Sequence, residues 1–489
     1  METPTLTRSD EPTSARPASR HAAHARELEE LLAAVAALAR ELVAREHDPA
    51  DPALRDPVAL AGRLDLALGA EGLETGAVLA RLKAVLEATP STSSWRFVNQ
   101  LFGGREPVAT AAEMLAVVQN VSMYTFKAAG AEILVERELL RHMAELAGFA
   151  GGEGCFTPGG SLANLVALLL ARNAAAPDAR EAGAPGGRLA VYTSEEGHYS
   201  ISKSAGIVGF GRRQVRQIAV RADGGMDPDA LARALAADRA AGLVPALVNA
   251  TAGTTVRGAF DPIRPLAELA HAAGAWLHVD GALGGSLVLS PAHRHRLDGL
   301  ELADSFAWNP HKMMGVPLQC SVLLVARRGA LGGSLDESAD YLFQADDDEL
   351  NPGHRSIQCG RRNDALKLWA AWLRLGDRGY EARIERQLGL ARLAAAKIAA
   401  DPALELAELP ASINVCFEVR GRSSEAICDR LDREGTLKIG HGVVAGRRTL
   451  RLVCVNPDLD EGDLDAILAE IQRAGRALPP GDNRVGAAS

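Results

Sequence analysis

The chain has 489 residues, is 47% hydrophobic and carries a formal net charge of -9, which is enough length and apolar content for a large core and more than one domain. An acidic balance of that size argues against nucleic acid or an anionic membrane surface as a partner. The six cysteines, Cys155, Cys320, Cys359, Cys416, Cys428 and Cys454, are scattered with no CxxC pair. They read as reduced thiols of a cytoplasmic protein and form neither a disulfide framework nor a metal site.

Residues 1–26 are rich in Thr, Ser, Pro, Ala, Arg and His and have no apolar stretch, which excludes a secretory signal and predicts a disordered tail. No later run is long and apolar enough to cross a bilayer as a helix. From Glu27 onward, Leu28, Leu31, Leu32, Val35, Leu38 and Leu42 recur at helical spacing. The apolar stripe of such a helix packs either on its own domain or across a dimer. Pro57 to Ala88 predicts two more helices, so residues 27–94 form an N-terminal helical segment. The loop STSSWRFVNQLFGG, Ser91 to Gly104, carries Gln100, an amide that either serves a turn or reaches a ligand. Met114 to Gly148 reads as helical.

In GCFTPGGSLANLVALLLAR, Gly154 to Arg172, a glycine pair runs into Ser161 and an apolar helix. That arrangement presents backbone N–H groups and a hydroxyl to an anion. Short apolar runs then alternate with helical patterns, the runs beginning at Leu189, Arg216, Pro245, Trp276, Ser305 and Cys320. The alternation predicts a mostly parallel sheet with helices on both faces. His198 follows the first of these strands. In AWLHVDGALGGSL, Ala275 to Leu287, an apolar strand ends in Asp280 and then small residues. A carboxylate at the C-terminal end of such a strand either caps a helix or bonds a protonated ring nitrogen of a ligand.

SFAWNPHKMMGVPLQC, Ser305 to Cys320, holds Lys312 between His311 and Met313 with no acid close by in sequence. Its side chain either snorkels to water or is desolvated, and desolvation lowers the amine pKa as a Schiff-base lysine requires. DESADYLFQADDDEL, Asp336 to Leu350, is an acidic loop with Tyr341. Leu366 to Ala399 is a long helical region leading to a small α/β domain, with strands at Leu404, Ile413 and Thr449 and helices over Ser424 to Glu434 and Asp460 to Arg473. Arg451 lies in the last strand and points away from Leu450 and Leu452. It makes a strand-end salt bridge or grips a carboxylate bidentately.

FTPGGS, NATAGTTVRGAFDP, HVD and NPHK, in this order and spacing, resemble the group II pyridoxal-phosphate (PLP) decarboxylases of fold type I over roughly Trp95 to Arg473. WNPHKMMGVPLQCS, YLFQ and QCGRR are most similar to the glutamate and cysteine-sulfinate decarboxylase branch. The resemblance implies an α/β fold with a large PLP-binding domain at 95–375, a small C-terminal domain at 376–475 and a flexible tail at 476–489. It implies a homodimer with the N-terminal helices packed across it. The cofactor would be held by Lys312, Asp280, Ala282, His198 stacked on the ring, and Thr255, with Gly160, Ser161, Asn309 and His311 around the phosphate. Tyr341 would protonate the product carbanion in the neighbouring subunit, and Gln100 and Arg451 would contact the substrate. The expected reaction is α-decarboxylation of a small acidic L-amino acid, glutamate or aspartate first and cysteine sulfinate next. Alternatives are a non-acidic substrate, an aminotransferase or another PLP lyase on the same scaffold, and a catalytically silent dimeric paralogue. Gly281, Leu283, Ser122 and Lys127 depart from that branch, which bears on substrate choice and leaves the cofactor chemistry intact.

Overall fold

Apolar runs such as those beginning at Leu189 and Cys320 need cover on both faces, and the computed structural model shows how they obtain it. It describes residues 20–46, 57–337 and 350–485, which fall into two units divided between Ser91 and Thr92. The first unit holds helices Arg20–Arg45, Pro57–Arg63 and Thr75–Glu87. Lys83 Nζ reaches Glu41 at 2.6 Å, and the Arg45 guanidinium donates to the Glu87 carbonyl at 3.0 Å, which ties the first helix to the third. The stripe of the first helix is uncovered at Leu28, Leu32 and Val35. The third helix buries none of its residues.

The second unit contains two sheets. The larger is built from β1 (Glu153–Thr157), β2 (Leu189–Ser194), β3 (Val215–Ile218), β4 (Val244–Thr251), β5 (Trp276–Gly281), β6 (Ser305–Trp308) and β7 (Ser321–Val325). Their order is β1-β7-β6-β5-β4-β2-β3. β3, β2, β4, β5 and β6 pair in parallel, whereas β7 is antiparallel to both β6 and β1. The reversal has a local cause. The segment from Asn309 to Cys320 contains no helix to carry the chain back across the sheet, so the next strand returns antiparallel. β2, β5, β6 and β7 are buried along their whole length, which is why they read as continuous apolar runs.

The smaller sheet comprises β8 (Leu404–Leu406), β9 (Asn414–Val419), β10 (Gly440–Val444) and β11 (Arg447–Val453), antiparallel in the order β10-β11-β9-β8. The sequence reading does not anticipate β1 or β10. Each contains glycine where strand propensity is weak, and each is fixed by an antiparallel neighbour. The helical stretch expected from Met114 to Gly148 is three helices, Pro107–Gln119, Phe126–Ala129 and Ala131–Ala147. Left-handed Asn120 (φ 51°) ends the first, and Gly130 (φ 53°) separates the second from the third.

Sheet register sets the site. Thr251 at the end of β4 pairs with Asp280 of β5, which pairs with Ala307 of β6. The helix Gly160–Ala175 begins just beyond β1. The C-terminal ends of the parallel strands and this helix start therefore meet in one crevice, where open α/β sheets bind ligands.

Candidate active site

After β6 the chain turns over Asn309, whose carbonyl accepts from the Lys312 N–H at 3.0 Å. Two side chains of the long helix Asp364–Ala400 hold the next peptide, with Arg383 Nε and Gln387 Nε2 both donating to the Met313 carbonyl at 3.1 and 3.0 Å. Met313 and Met314 are fully buried. Lys312 is thus fixed in an apolar bed. Burial pulls its amine below the usual lysine range and Arg451 pushes the same way, while the Asp280 carboxylate opposes them. Burial also takes the neighbouring His311 down to about 4, and its Nδ1 lies 2.6 Å from the Cys320 carbonyl.

Asp280 is 4% exposed. Its Oδ1 accepts from the Ala282 N–H at 3.1 Å and its Oδ2 from Asn164 Nδ2 at 2.8 Å. The same Asn164 nitrogen donates to Ser200 Oγ at 2.8 Å, and Ser200 Oγ lies 2.8 Å from His198 Nδ1. Asn164 Oδ1 faces His278 Nε2 at 3.0 Å, and His278 Nδ1 faces Ser305 Oγ at 2.9 Å. Burial lowers the His198 pKa, with Lys312 adding to that and Asp280 countering it.

A cavity of 220 Å³ opens among these groups. Gly160, Ser161, His198, Thr255, Asp280, Ala282, Asn309, His311 and Lys312 all line it, so the structure gathers every residue expected to hold the cofactor. Arg451 and Gln100 are not among the lining residues. The Arg451 guanidinium donates to the Thr255 carbonyl at 2.8 Å and the Asn99 carbonyl at 2.6 Å, while Gln100 is exposed on the adjoining turn. Tyr341 lies outside the described residues. Leu283, singled out in the sequence as bearing on substrate choice, also lines the cavity, whereas sequence reasoning missed Asn164, Tyr199, Thr251 and Gly253 in the lining, and Ser200 and His278 behind it. The one available signal was position: Asn164 interrupts the apolar run that follows Ser161, and His278 sits two residues before Asp280 on the same strand face.

The crevice suits a phosphorylated aldehyde with a basic ring. The first turn of Gly160–Ala175 offers unpaired N–H groups to a phosphate. Gly160 is needed there, since a Cβ at this position would lie 2.7 Å from Asn309 Nδ2. The half-buried Lys312 amine and the buried Asp280 carboxylate face the same space. A mostly parallel sheet with this site at its strand ends defines a fold type I enzyme that uses pyridoxal phosphate. The chain belongs to the pyridoxal-dependent decarboxylase family, whose conserved domain matches residues 57–420. It is 40% identical over 450 residues to human cysteine sulfinic acid decarboxylase, covering 87% of this chain and 91% of that protein. It is 36% identical over 449 residues to the acidic amino acid decarboxylase GADL1 of Xenopus tropicalis, covering 87% and 88%. The crystal structure of mouse CSAD superposes with a TM-score of 0.87 at 36% identity, over 92% of this chain and 99% of that one. The chain is accordingly a PLP-dependent carboxy-lyase.

Proposed function

We propose that the protein removes the α-carboxylate of a small acidic L-amino acid, drawn from cysteine sulfinate, aspartate and glutamate, as a homodimer in the cytoplasm. The observation that carries the reading is the half-buried Lys312, its amine pKa lowered by desolvation, sharing one cavity with Asp280 and His198. The substrate class is supported by two relatives whose names specify acidic substrates, cysteine sulfinic acid decarboxylase and acidic amino acid decarboxylase. The dimer is supported by the uncovered stripe of Leu28, Leu32 and Val35.

Lys312 would hold the cofactor covalently, and Gly160, Ser161 and Asn309 would hold its phosphate with His311 alongside. Bound there, the cofactor supplies an electron sink for the pair released when CO2 departs. Asp280 would keep a proton on the ring nitrogen, because a carboxylate beside a ring N–H raises that nitrogen's pKa. Ala282, His198 and Thr255, which line the cavity, would confine the ring. Holding the substrate in one orientation in this cavity would select which bond to Cα breaks. Burial lowers the Lys312 pKa and so favours its neutral, nucleophilic form. Tyr341 is the proposed donor of the proton that replaces the carboxylate. Arg451, gripping the Thr255 and Asn99 carbonyls, braces the cavity wall, and with Gln100 it belongs to the proposed substrate side.

A competition assay tests the substrate claim. All common amino acids and cysteine sulfinate are offered at equal concentration, and the amines formed are read by mass spectrometry. The expected products are hypotaurine, β-alanine or 4-aminobutyrate. A dominant amine from an aromatic, basic or aliphatic amino acid would overturn the acidic-substrate claim and leave the decarboxylase standing.

A further inference from the structure

Behind the cavity, the side chains from Trp276 to His198 form a single run of hydrogen bonds whose polarity is determined at almost every step. Trp276 Nε1 can only donate, and it does so to Ser305 Oγ at 2.8 Å. A carboxylate can only accept, so the Asn164 group 2.8 Å from Asp280 Oδ2 is its NH2. That assignment turns Asn164 Oδ1 towards His278 Nε2 at 3.0 Å, and the Nε2 must carry the hydrogen. Burial holds the His278 pKa well below its ordinary value, so the ring has one hydrogen only. Its bare Nδ1 therefore accepts from the Ser305 hydroxyl at 2.9 Å.

The other branch leaves Asn164 through its second N–H, which donates to Ser200 Oγ at 2.8 Å. With that lone pair used, the Ser200 hydroxyl is free to donate to His198 Nδ1 at 2.8 Å, and the Ser200 backbone N–H points at the same nitrogen from 3.3 Å. Two donors on Nδ1 leave the ring hydrogen on Nε2. Asn164 and Ser200 are 1% and 0% exposed, so water does not compete for these bonds.

We propose that Asn164 is a positioning residue that holds Asp280 with one N–H and, through Ser200, sets His198 in the tautomer that carries its hydrogen on Nε2. The inference rests on the reading of this cavity as the cofactor site and deepens it. The face His198 turns to a bound ring is then that of a neutral imidazole with a fixed hydrogen-bond donor. Asn164 serves the ring-nitrogen partner and the ring-face partner together. An aspartate at 164 has no N–H to give. Its oxygen in the place of Nδ2 shares a proton with Asp280 Oδ2 and takes the Ser200 hydroxyl as donor, which leaves Ser200 Oγ to accept from His198 and draws the ring hydrogen to Nδ1.

The test uses the full-length enzyme with nitrogen-15-labelled histidine, with the His198 signals identified by their loss in His198→Gln. The wild type is expected to show protonated Nε2 and bare Nδ1, and Asn164→Asp to show a majority of Nδ1–H. A wild-type His198 with Nδ1–H, or an Asn164→Asp spectrum with the wild-type tautomer, overturns the proposal. If Asn164→Asp does not fold, Ser200→Ala replaces it: a rise in Nδ1–H is expected, and an unchanged tautomer overturns the proposal. Cofactor absorbance of the wild-type sample separates the two layers of the argument. If the protein takes up no pyridoxal phosphate, the reading of the cavity fails; if it binds the cofactor and the tautomer does not move, only the role of Asn164 fails.

Discussion

Replacing Gly160 with alanine places one methyl group in the narrowest part of the proposed phosphate cradle. The new Cβ would sit 2.7 Å from Asn309 Nδ2, 3.2 Å from Asn309 Oδ1 and 3.4 Å from Ala282 Cβ. Asn309 cannot simply swing aside, because its Oδ1 accepts from Ser321 Oγ at 2.8 Å in a site where the residue is 3% exposed. Losing that bond costs about 1 kcal/mol and overpacking a further 1–3 kcal/mol or so. Alanine's better helix propensity returns roughly 0.5–1 kcal/mol. The net of roughly 1–3 kcal/mol, borne by cofactor binding, corresponds to about a 5- to 150-fold weaker dissociation constant. Titrating the cofactor-free protein with pyridoxal phosphate by fluorescence quenching measures it directly. An affinity within about twofold of wild type, with unchanged melting temperature, would refute the cradle as drawn.

Glu136 and Arg361 form an ion pair at 2.8 Å with both side chains 3% exposed; Glu136→Ala should lower stability by about 3–5 kcal/mol in urea unfolding, and a loss below about 1 kcal/mol would show the guanidinium finds other partners. Burial pulls His311 from 6.5 to about 4, so between those values the unfolded chain binds a proton the folded chain does not. Stability of the cofactor-free protein should then be complete above about pH 6.5 and fall towards pH 4, by up to about 3 kcal/mol from this residue, and His311→Asn should flatten that slope. Mixing inactive Lys312→Ala chains with inactive Tyr341→Phe chains should restore part of the activity if sites are shared across a dimer, whereas no recovery would mean each subunit is self-contained.

The parts of the fold legible in the sequence are those where one physical demand dominates. β2 and β4 to β7 announce themselves because a strand covered on both faces has little room for polar side chains, and Lys312 stands out because it is the one Lys, Arg, Asp or Glu in the apolar stretch from Ser305 to Cys320. Asp280 is legible for the same reason, at the end of an apolar strand. The network behind them is not. Asn164, Ser200 and His278 are separated in sequence and individually ordinary, and only the register that sets β5 between β4 and β6 beneath the helix at Gly160 brings them within hydrogen-bond reach. Arg451 teaches the converse lesson. Alternation along β11 correctly told which way it points, yet its partners, the carbonyls of Thr255 and Asn99, come from segments no local pattern connects to it.

The central claim is that Lys312 is the amine that carries pyridoxal phosphate. Borohydride reduction of the holoenzyme, followed by proteolysis and mass spectrometry, locates the attachment point. A phosphopyridoxyl adduct on the peptide containing Lys312 is the predicted result, and an adduct confined to any other lysine would contradict the account.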